Sequence, residues 1–233
     1  MYQHLVANGC SYSELYCIGN GHVDLAERLG IPTAETLAIG GSANSRIIRS
    51  TLKHSYQTSV PTFYVIGATF LSRNEIPILT SSDTFEGRWT NPQNQQFKKQ
   101  WIPEWKQRDT DNYVKLKLKT EMFSIIDRLE DLLYRWLSLI ASLRSRGHGC
   151  IVYQQGDDLH LPFMNDARVQ LFNSRPEIVE GYRWRAVAWQ HAQGVPPSYQ
   201  DNKVPDEMKH PRAGEHNLVN QYLAEYIKTN QLM

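Results

Sequence analysis

The sequence predicts an α/β fold built on a parallel sheet, and three observations carry that prediction. Short apolar runs at residues 3–8 and 62–67 read as buried strands, and helical patterns at 22–29 and 43–56 lie between strand signals, so the chain opens β-α-β-α-β. Strands joined through helices pair in parallel with right-handed crossovers. Small residues punctuate the strand ends: Gly9, then Gly40-Gly41-Ser42, then Gly67. The length, 233 residues, suits one sizeable core, so a single α/β domain over 1–233 is expected.

Each element has its own justification. Residues 3–8 form strand one. Residues 22–29 (HVDLAERL) make a short amphipathic helix, closed by Gly30 in the residue type favoured after a helix end. Residues 35–39 (ETLAI) read as strand two, and 40–42 as a tight turn. Residues 43–56 follow as a helix with Ile47, Ile48 and Leu52 on one face. Residues 62–67 (TFYVIG) are strand three. Residues 76–112 then break the rhythm with Pro77, Pro92 and Pro103 among Trp89, Trp101 and Trp105, an irregular excursion of the kind that carries function when ordered. Residues 114–146 hold Leu118, Met122, Ile125, Ile126, Leu129, Leu133, Trp136, Leu137 and Ile140 at helical spacing, a core-facing stripe. Gly147 and Gly149 end that helix, and 150–154 (CIVYQ) form strand four. Residues 155–180 are mixed, a helix is expected near 181–192, Val195-Pro196-Pro197 forms a link, and the last helix spans about 212–228.

Composition excludes several classes. Hydrophobic residues are 41% and charged residues 21%, with a net charge of +1, so neither nucleic acid nor an anionic membrane is an expected partner. Cys10, Cys17 and Cys150 are an odd number without CxxC spacing, which opposes a disulfide framework or zinc ribbon. His148, His160, His191 and His216 show no ligand spacing, so no metal and no cofactor are expected. No run is long and apolar enough to span a bilayer, and the N-terminus lacks signal-peptide features. A soluble product made in the cytoplasm is the expectation.

The chemistry-bearing residues sit near the two ends. The apolar run breaks at Gly9 and delivers Ser11 at the sheet's carboxyl edge, where sites of open α/β sheets lie. A serine hydroxyl needs a base, and His210 can serve as one. Asp206 or Glu207 can fix the imidazole tautomer and stabilise the imidazolium. Backbone amides at Ser11 and Gly41 can hold an oxyanion, with the Thr69 hydroxyl as a third donor and Asn44 as its substitute by residue type.

Taken together the motifs resemble the SGNH (GDSL-like) hydrolase family. The matching blocks are Gly9-Cys10-Ser11, the stretch Leu37 to Asn44 with Gly41 as the oxyanion glycine, Gly67-Ala68-Thr69-Phe70, and His210-Pro211. Cys10 stands where the family commonly has Asp, and Thr69 stands where it has Asn. Glu207 has the family's carboxylate spacing, whereas Asp206 has its residue type one position further off. A closer likeness is to short proteins common in tailed phages, which share Asn8-Gly9-Cys10-Ser11-Tyr12-Ser13, Gly40 to Asn44, and Ile66 to Glu75 through Arg73. The resemblance covers 1–75 and 204–228. It implies a flavodoxin-like three-layer α/β/α sandwich. It also implies a serine esterase acting through an acyl-enzyme on Ser11, with a small ester or an O-acetylated glycan as substrate.

Other readings stand beside this one. Asn8 and Ser13 are read as holding the turn by local hydrogen bonds, and Cys10 as a small buried residue. Arg73 and Glu75 either pair with each other or contact substrate. The three tryptophans either form a small satellite core or line a sugar platform. The alternative function is a catalytically weak or inactive SGNH-fold structural or adaptor protein of a phage particle, with virion or homo-oligomer partners. A nucleotide-binding module is opposed by the lack of phosphate-loop glycine patterns.

Overall fold

The computed structural model describes residues 1–10, 13, 17, 19–40, 42–69, 76–77, 89–90, 125–154, 167–179 and 213–233. Strand β1 (His4–Asn8) leads to helix α1 (Gly21–Leu29), strand β2 (Thr33–Thr36), helix α2 (Asn44–Gln57) and strand β3 (Thr62–Ala68). After the short strands β4 (Ile76–Pro77) and β5 (Trp89–Thr90) come helix α3 (Ile125–Ser145), strand β6 (Gly149–Gln154), helix α4 (Ala167–Asn173), strand β7 (Ile178–Val179) and helix α5 (Ala213–Thr229).

Among the described residues, five strands form one sheet in the order β2-β1-β3-β6-β7, every neighbouring pair parallel. That order is the flavodoxin-like arrangement, in which the chain steps outward to β2 and then crosses to the other side of β1. Side-chain alternation divides the core in two. Leu5, Ala7, Phe63, Val65, Ile151, Tyr153 and Val179 face α1 and α5. Val6, Tyr64, Ile66, Ala68, Cys150, Val152 and Ile178 face α2, α3 and α4. The result is a three-layer α/β/α sandwich. Both faces of the central β3 are covered and all seven of its residues are buried, which explains its unbroken apolar reading.

The helices bury one stripe each. In α1 that stripe is His22, Leu25, Ala26 and Leu29, and Gly30 closes the helix in the left-handed region at φ 69°. In α3 it includes Leu132, Leu133, Trp136, Leu139, Ile140 and Leu143. Residues 114–124 of the expected helix, the helix expected near 181–192, and most of the 76–112 excursion lie outside the described residues. Within that excursion β4 and β5 pair antiparallel, Ile76 opposite Thr90 and Pro77 opposite Trp89.

Strand two differs from its expected place. It spans Thr33–Thr36 rather than 35–39, with register His4–Thr33 to Ala7–Thr36. It is an edge strand and mostly exposed, so its own residues carry no apolar pattern. The apolar residues that suggested a strand lie just beyond it. There the chain still follows β1, with the Leu37 and Ile39 amides donating to the Ala7 and Gly9 carbonyls at 2.8 and 3.3 Å. Ala38 is buried in the α1-side core. Helix α4 and the two-residue β7 fall in the stretch read as mixed; β7 is too short to show periodicity.

The exit of β1 is fixed by Asn8. Its amide nitrogen donates to Ser50 Oγ at 2.9 Å and Thr51 Oγ1 at 2.8 Å, with the Ile47 carbonyl at 3.1 Å. Both hydroxyls spend their own hydrogens on α2 carbonyls, so they accept from Asn8. Asn8 Oδ1 accepts the Gly9 amide at 2.8 Å. Ser13 is buried with its Oγ 3.0 Å from Tyr153 OH. Asn8 and Ser13 therefore hold the turn, but whereas the sequence reading expects local hydrogen bonds, only the Gly9–Asn8 bond is local and those to Ser50, Thr51 and Tyr153 reach across the fold.

Two substitutions test this frame. A Cβ on Gly9 would lie 2.0 Å from Ser13 Oγ, so Gly9→Ala forces the turn to shift. We expect Gly9→Ala to cost about 1–3 kcal/mol by overpacking. Asn8→Ala, which strands buried polar groups, should cost about 1–3 kcal/mol. Urea unfolding followed by circular dichroism reads both.

Candidate active site

A parallel sheet of this order opens a crevice where its chain reverses direction, between the carboxyl ends of β1 and β3. Gly9 and Thr69 mark its two walls. Gly9 follows β1 and approaches β3 so closely that an added Cβ would sit 3.2 Å from the Gly67 carbonyl. Thr69 follows β3. Helix α2 begins at the same edge, since it must run back to bring the chain to the amino end of β3, and its positive dipole end faces the crevice.

Thr69 and Asn44 are brought together here. The Asn44 side-chain nitrogen donates to the Thr69 carbonyl at 3.0 Å, and the Thr69 amide donates to Asn44 Oδ1 at 2.8 Å. This two-point clamp ties the first residue of α2 to the exit of β3. It commits the Asn44 oxygen and one of its two amide hydrogens to the main chain, so Asn44 positions the exit of β3. The Thr69 hydroxyl is different. Thr69 is 1% exposed, and among the described residues its Oγ1 has no hydrogen-bond partner. A buried hydroxyl left unpaired is costly and needs a reason.

The glycine turn is built by its flanks. The Ser42 amide donates to the Ile39 carbonyl at 3.2 Å, and Ser42 Oγ donates to the same oxygen at 2.6 Å. Arg46 then braces the turn by donating to Ser42 Oγ at 2.9 Å. Ser11, Gly41, Arg73, Glu75, Asp206, Glu207 and His210 lie outside the described residues. The last helix is fastened close by: Asn220 donates to the Gly21 carbonyl at 2.7 Å and to Asp24 Oδ2 at 2.6 Å, joining α5 to the first turn of α1.

His22 is a residue that the sequence reading did not single out. It lies in the first turn of α1, is buried, and its Nδ1 has no hydrogen-bond partner among the described residues. Burial holds its imidazole below the ordinary pKa. No spacing signal marks it, because it occupies a core position of an amphipathic helix. The cysteines behave as small buried residues: Cys10, Cys17 and Cys150 are all buried and free of disulfides. Burial, aided by Glu177, pushes the Cys150 thiol up to about 12, which removes it as a nucleophile.

No family model matches this chain, and no curated protein matches it. Alignments to solved structures do span it. A Bacteroides fragilis protein assigned as an acylhydrolase aligns with a TM-score of 0.43 at 12% identity, over 98% of this chain and 88% of that one. TesA aligns at 0.46 and 13%, over 98% and 99%. A GDSL-like lipase from Bacteroides thetaiotaomicron aligns at 0.41 and 11%, over 97% and 88%.

The clamp and the unpaired hydroxyl make opposite predictions. Asn44→Ala leaves the Thr69 amide and carbonyl unpaired and should cost about 1–3 kcal/mol. Thr69→Val replaces the unpaired hydroxyl by a methyl group of similar shape and should raise stability by about 1 kcal/mol. Chemical denaturation of the two variants beside wild type checks both signs.

His22 predicts a pH dependence. Its folded pKa lies below the unfolded one, so the unfolded chain binds a proton that the folded chain refuses. The stability His22 allows is therefore complete above about pH 6.5 and is lost as pH falls through the lowered folded value. His22→Gln should flatten the decline in urea midpoint below about pH 6.5, and an unchanged decline contradicts the assignment.

Proposed function

We propose that this chain is a serine ester hydrolase of the SGNH type, working in the crevice between the ends of β1 and β3. The observation that carries this reading is the Thr69 hydroxyl, buried at the exit of β3 with no partner among the described residues. An unspent donor beside a strand-end turn suits a group that appears only during reaction. Supporting it are the steric need for Gly9, the Asn8 tie at the end of β1, and the ordered sequence blocks around Ser11, Gly41, Thr69 and His210.

In this mechanism Ser11, the residue after Cys10, attacks the ester carbonyl. His210 takes the Ser11 proton and returns it to the leaving alcohol, leaving an acyl group on Ser11 Oγ. Water, deprotonated by His210, then attacks that acyl group and regenerates the serine. Asp206 or Glu207 orients His210. The Ser11 and Gly41 amides hold the oxyanion, with Thr69 donating the third hydrogen bond. The substrate class is a carboxylic ester, with an O-acetyl group on a glycan as the specific candidate. Arg73 and Glu75, just past β3, and the tryptophans of 76–112 are the groups assigned to hold the sugar.

Hydrolysis of p-nitrophenyl acetate tests the reading. Ser11→Ala and His210→Ala should each lose on the order of 10³-fold or more in kcat. Thr69→Val should lose on the order of 10²-fold in kcat while keeping its fold. A fluorophosphonate probe should label wild type at Ser11. Equal hydrolysis by wild type and Ser11→Ala removes Ser11 from the mechanism. A folded protein that neither turns over nor labels favours the alternative, a catalytically inactive structural or adaptor protein of this fold, for which Thr69 at the Asn position leaves room.

A further inference from the structure

At the amino edge of the sheet, the end opposite the crevice, three residues from three elements converge. His4 opens β1, Glu35 lies on β2, and His54 is in the last turn of α2. Register puts them on one face. Glu35 and Tyr64 are both partners of Val6, and His4 shares the α2-facing side of β1 with Val6. Glu35 Oε1 lies 3.0 Å from His4 Nε2 and 2.6 Å from His54 Nε2. The two imidazoles stack with centroids 6.2 Å apart, and the three donor atoms all fall within 4.8 Å of one another.

The outer nitrogen of each ring is already engaged. His4 Nδ1 is 2.7 Å from Thr33 Oγ1, and that hydroxyl gives its own hydrogen to the Gln3 carbonyl at 2.8 Å. Thr33 can therefore only accept, so His4 Nδ1 carries the hydrogen and its neutral ring presents a lone pair at Nε2. His54 Nδ1 is 2.8 Å from Tyr64 OH, a second oxygen that orients a ring. Two imidazole Nε2 atoms aimed at one carboxylate oxygen need either a hydrogen on each nitrogen or a cation between them. Oxygen partners on the far side of both rings are the usual outer shell of a metal-binding histidine. A groove of about 420 Å³, lined by the three residues with Thr33, Thr58 and Val60, leaves the fourth side open.

We propose that His4, Glu35 and His54 bind one divalent transition-metal ion, zinc in kind, through Nε2, Oε1 and Nε2. The fourth position is left to water or to a small ligand in the groove. Donors around a tetrahedral zinc stand roughly 3.3 Å apart, given bond lengths of about 2.0–2.2 Å. The His4 contact is close to that spacing, and the half-exposed Glu35 side chain opens the His54 contact by a small rotation. The expectation of no metal rested on His148, His160, His191 and His216, none of which takes part. The ion would pin the exposed edge strand β2 to the end of α2. This site is independent of the hydrolase reading.

Calorimetric titration of EDTA-stripped protein with zinc chloride tests it, with circular dichroism confirming the fold of each variant. Wild type should take up one ion. Glu35→Gln, which keeps size and hydrogen bonding, and His54→Ala should each bind at least about tenfold more weakly, and Thr33→Val about tenfold more weakly through the freed His4 ring. Zinc should raise the melting temperature of wild type and not of Glu35→Gln. Cobalt(II) should give visible d–d bands that Glu35→Gln abolishes. If His54→Ala does not fold, Glu35→Gln decides alone. No uptake by wild type, or uptake that Glu35→Gln leaves unchanged, overturns the proposal and makes the trio a hydrogen-bonded ion cluster.

Discussion

Helix α2 is held to the sheet by two carboxamides, and the crevice depends on them. Asn8 fastens the exit of β1 to the middle of the helix, and Asn44 fastens the start of the helix to the exit of β3. These two strands are neighbours in the sheet but are separated in the chain by a whole α-β-α excursion. Hydrophobic packing brings such strands together without fixing their ends to a fraction of an ångström. Buried amides do, because each hydrogen bond fails over a short displacement and a failed one leaves a desolvated dipole. The walls of the crevice therefore inherit their spacing from two side chains that need not touch a substrate.

The same helix joins the two ends of the sheet. Its first residue, Asn44, belongs to the carboxyl edge, and His54 in its last turn belongs to the amino edge. Between them Ile47, Ile48 and Thr51 are buried, so the helix has little freedom to slide. The dipole adds a consistent sense. Its positive end faces the edge where an oxyanion is proposed to form, and its negative end lies by His54, where a cation is proposed to sit. Neither arrangement needs the other, yet one rigid rod sets the geometry of both.

How much of this was legible follows from what each feature depends on. The buried strands β1, β3 and β6 and the helices α1, α2 and α5 show in sequence because burial on one or both faces writes a local pattern. Strand β2 was displaced in the reading because an edge strand has little burial to write, while Leu37 and Ala38 just past it have more. Helix α4 and β7 are too short for a period to emerge. The turn roles of Asn8 and Ser13, and Thr69 as a donor candidate, came from residue type at a strand end, which is a local signal. The His4, Glu35 and His54 cluster left no such mark. It exists only once β1 pairs with β2 and α2 crosses behind them, and no local spacing encodes that pairing. His22 was hidden for the opposite reason, since it takes an ordinary core position in an amphipathic helix.

The unpaired Thr69 hydroxyl is then the feature that sequence and structure together make informative. Among the described residues nearby, the Asn8 amide, the Ser50 and Thr51 hydroxyls, the Asn44 carboxamide and the Thr69 main chain all have partners. A fold that settles so many buried dipoles within a few residues has the means to settle one more, and valine would remove the problem outright. An orphan hydroxyl at roughly 1–3 kcal/mol is a large fraction of the stability of a domain that is marginal overall. Local rules broken without local compensation are expected where a site is kept ready for something absent from the resting state. The tetrahedral oxyanion of the proposed reaction is such a species. It is present only in passing, it accepts a hydrogen bond more strongly than the carbonyl it came from, and a donor held in place beforehand spends nothing on reorganisation when it arrives.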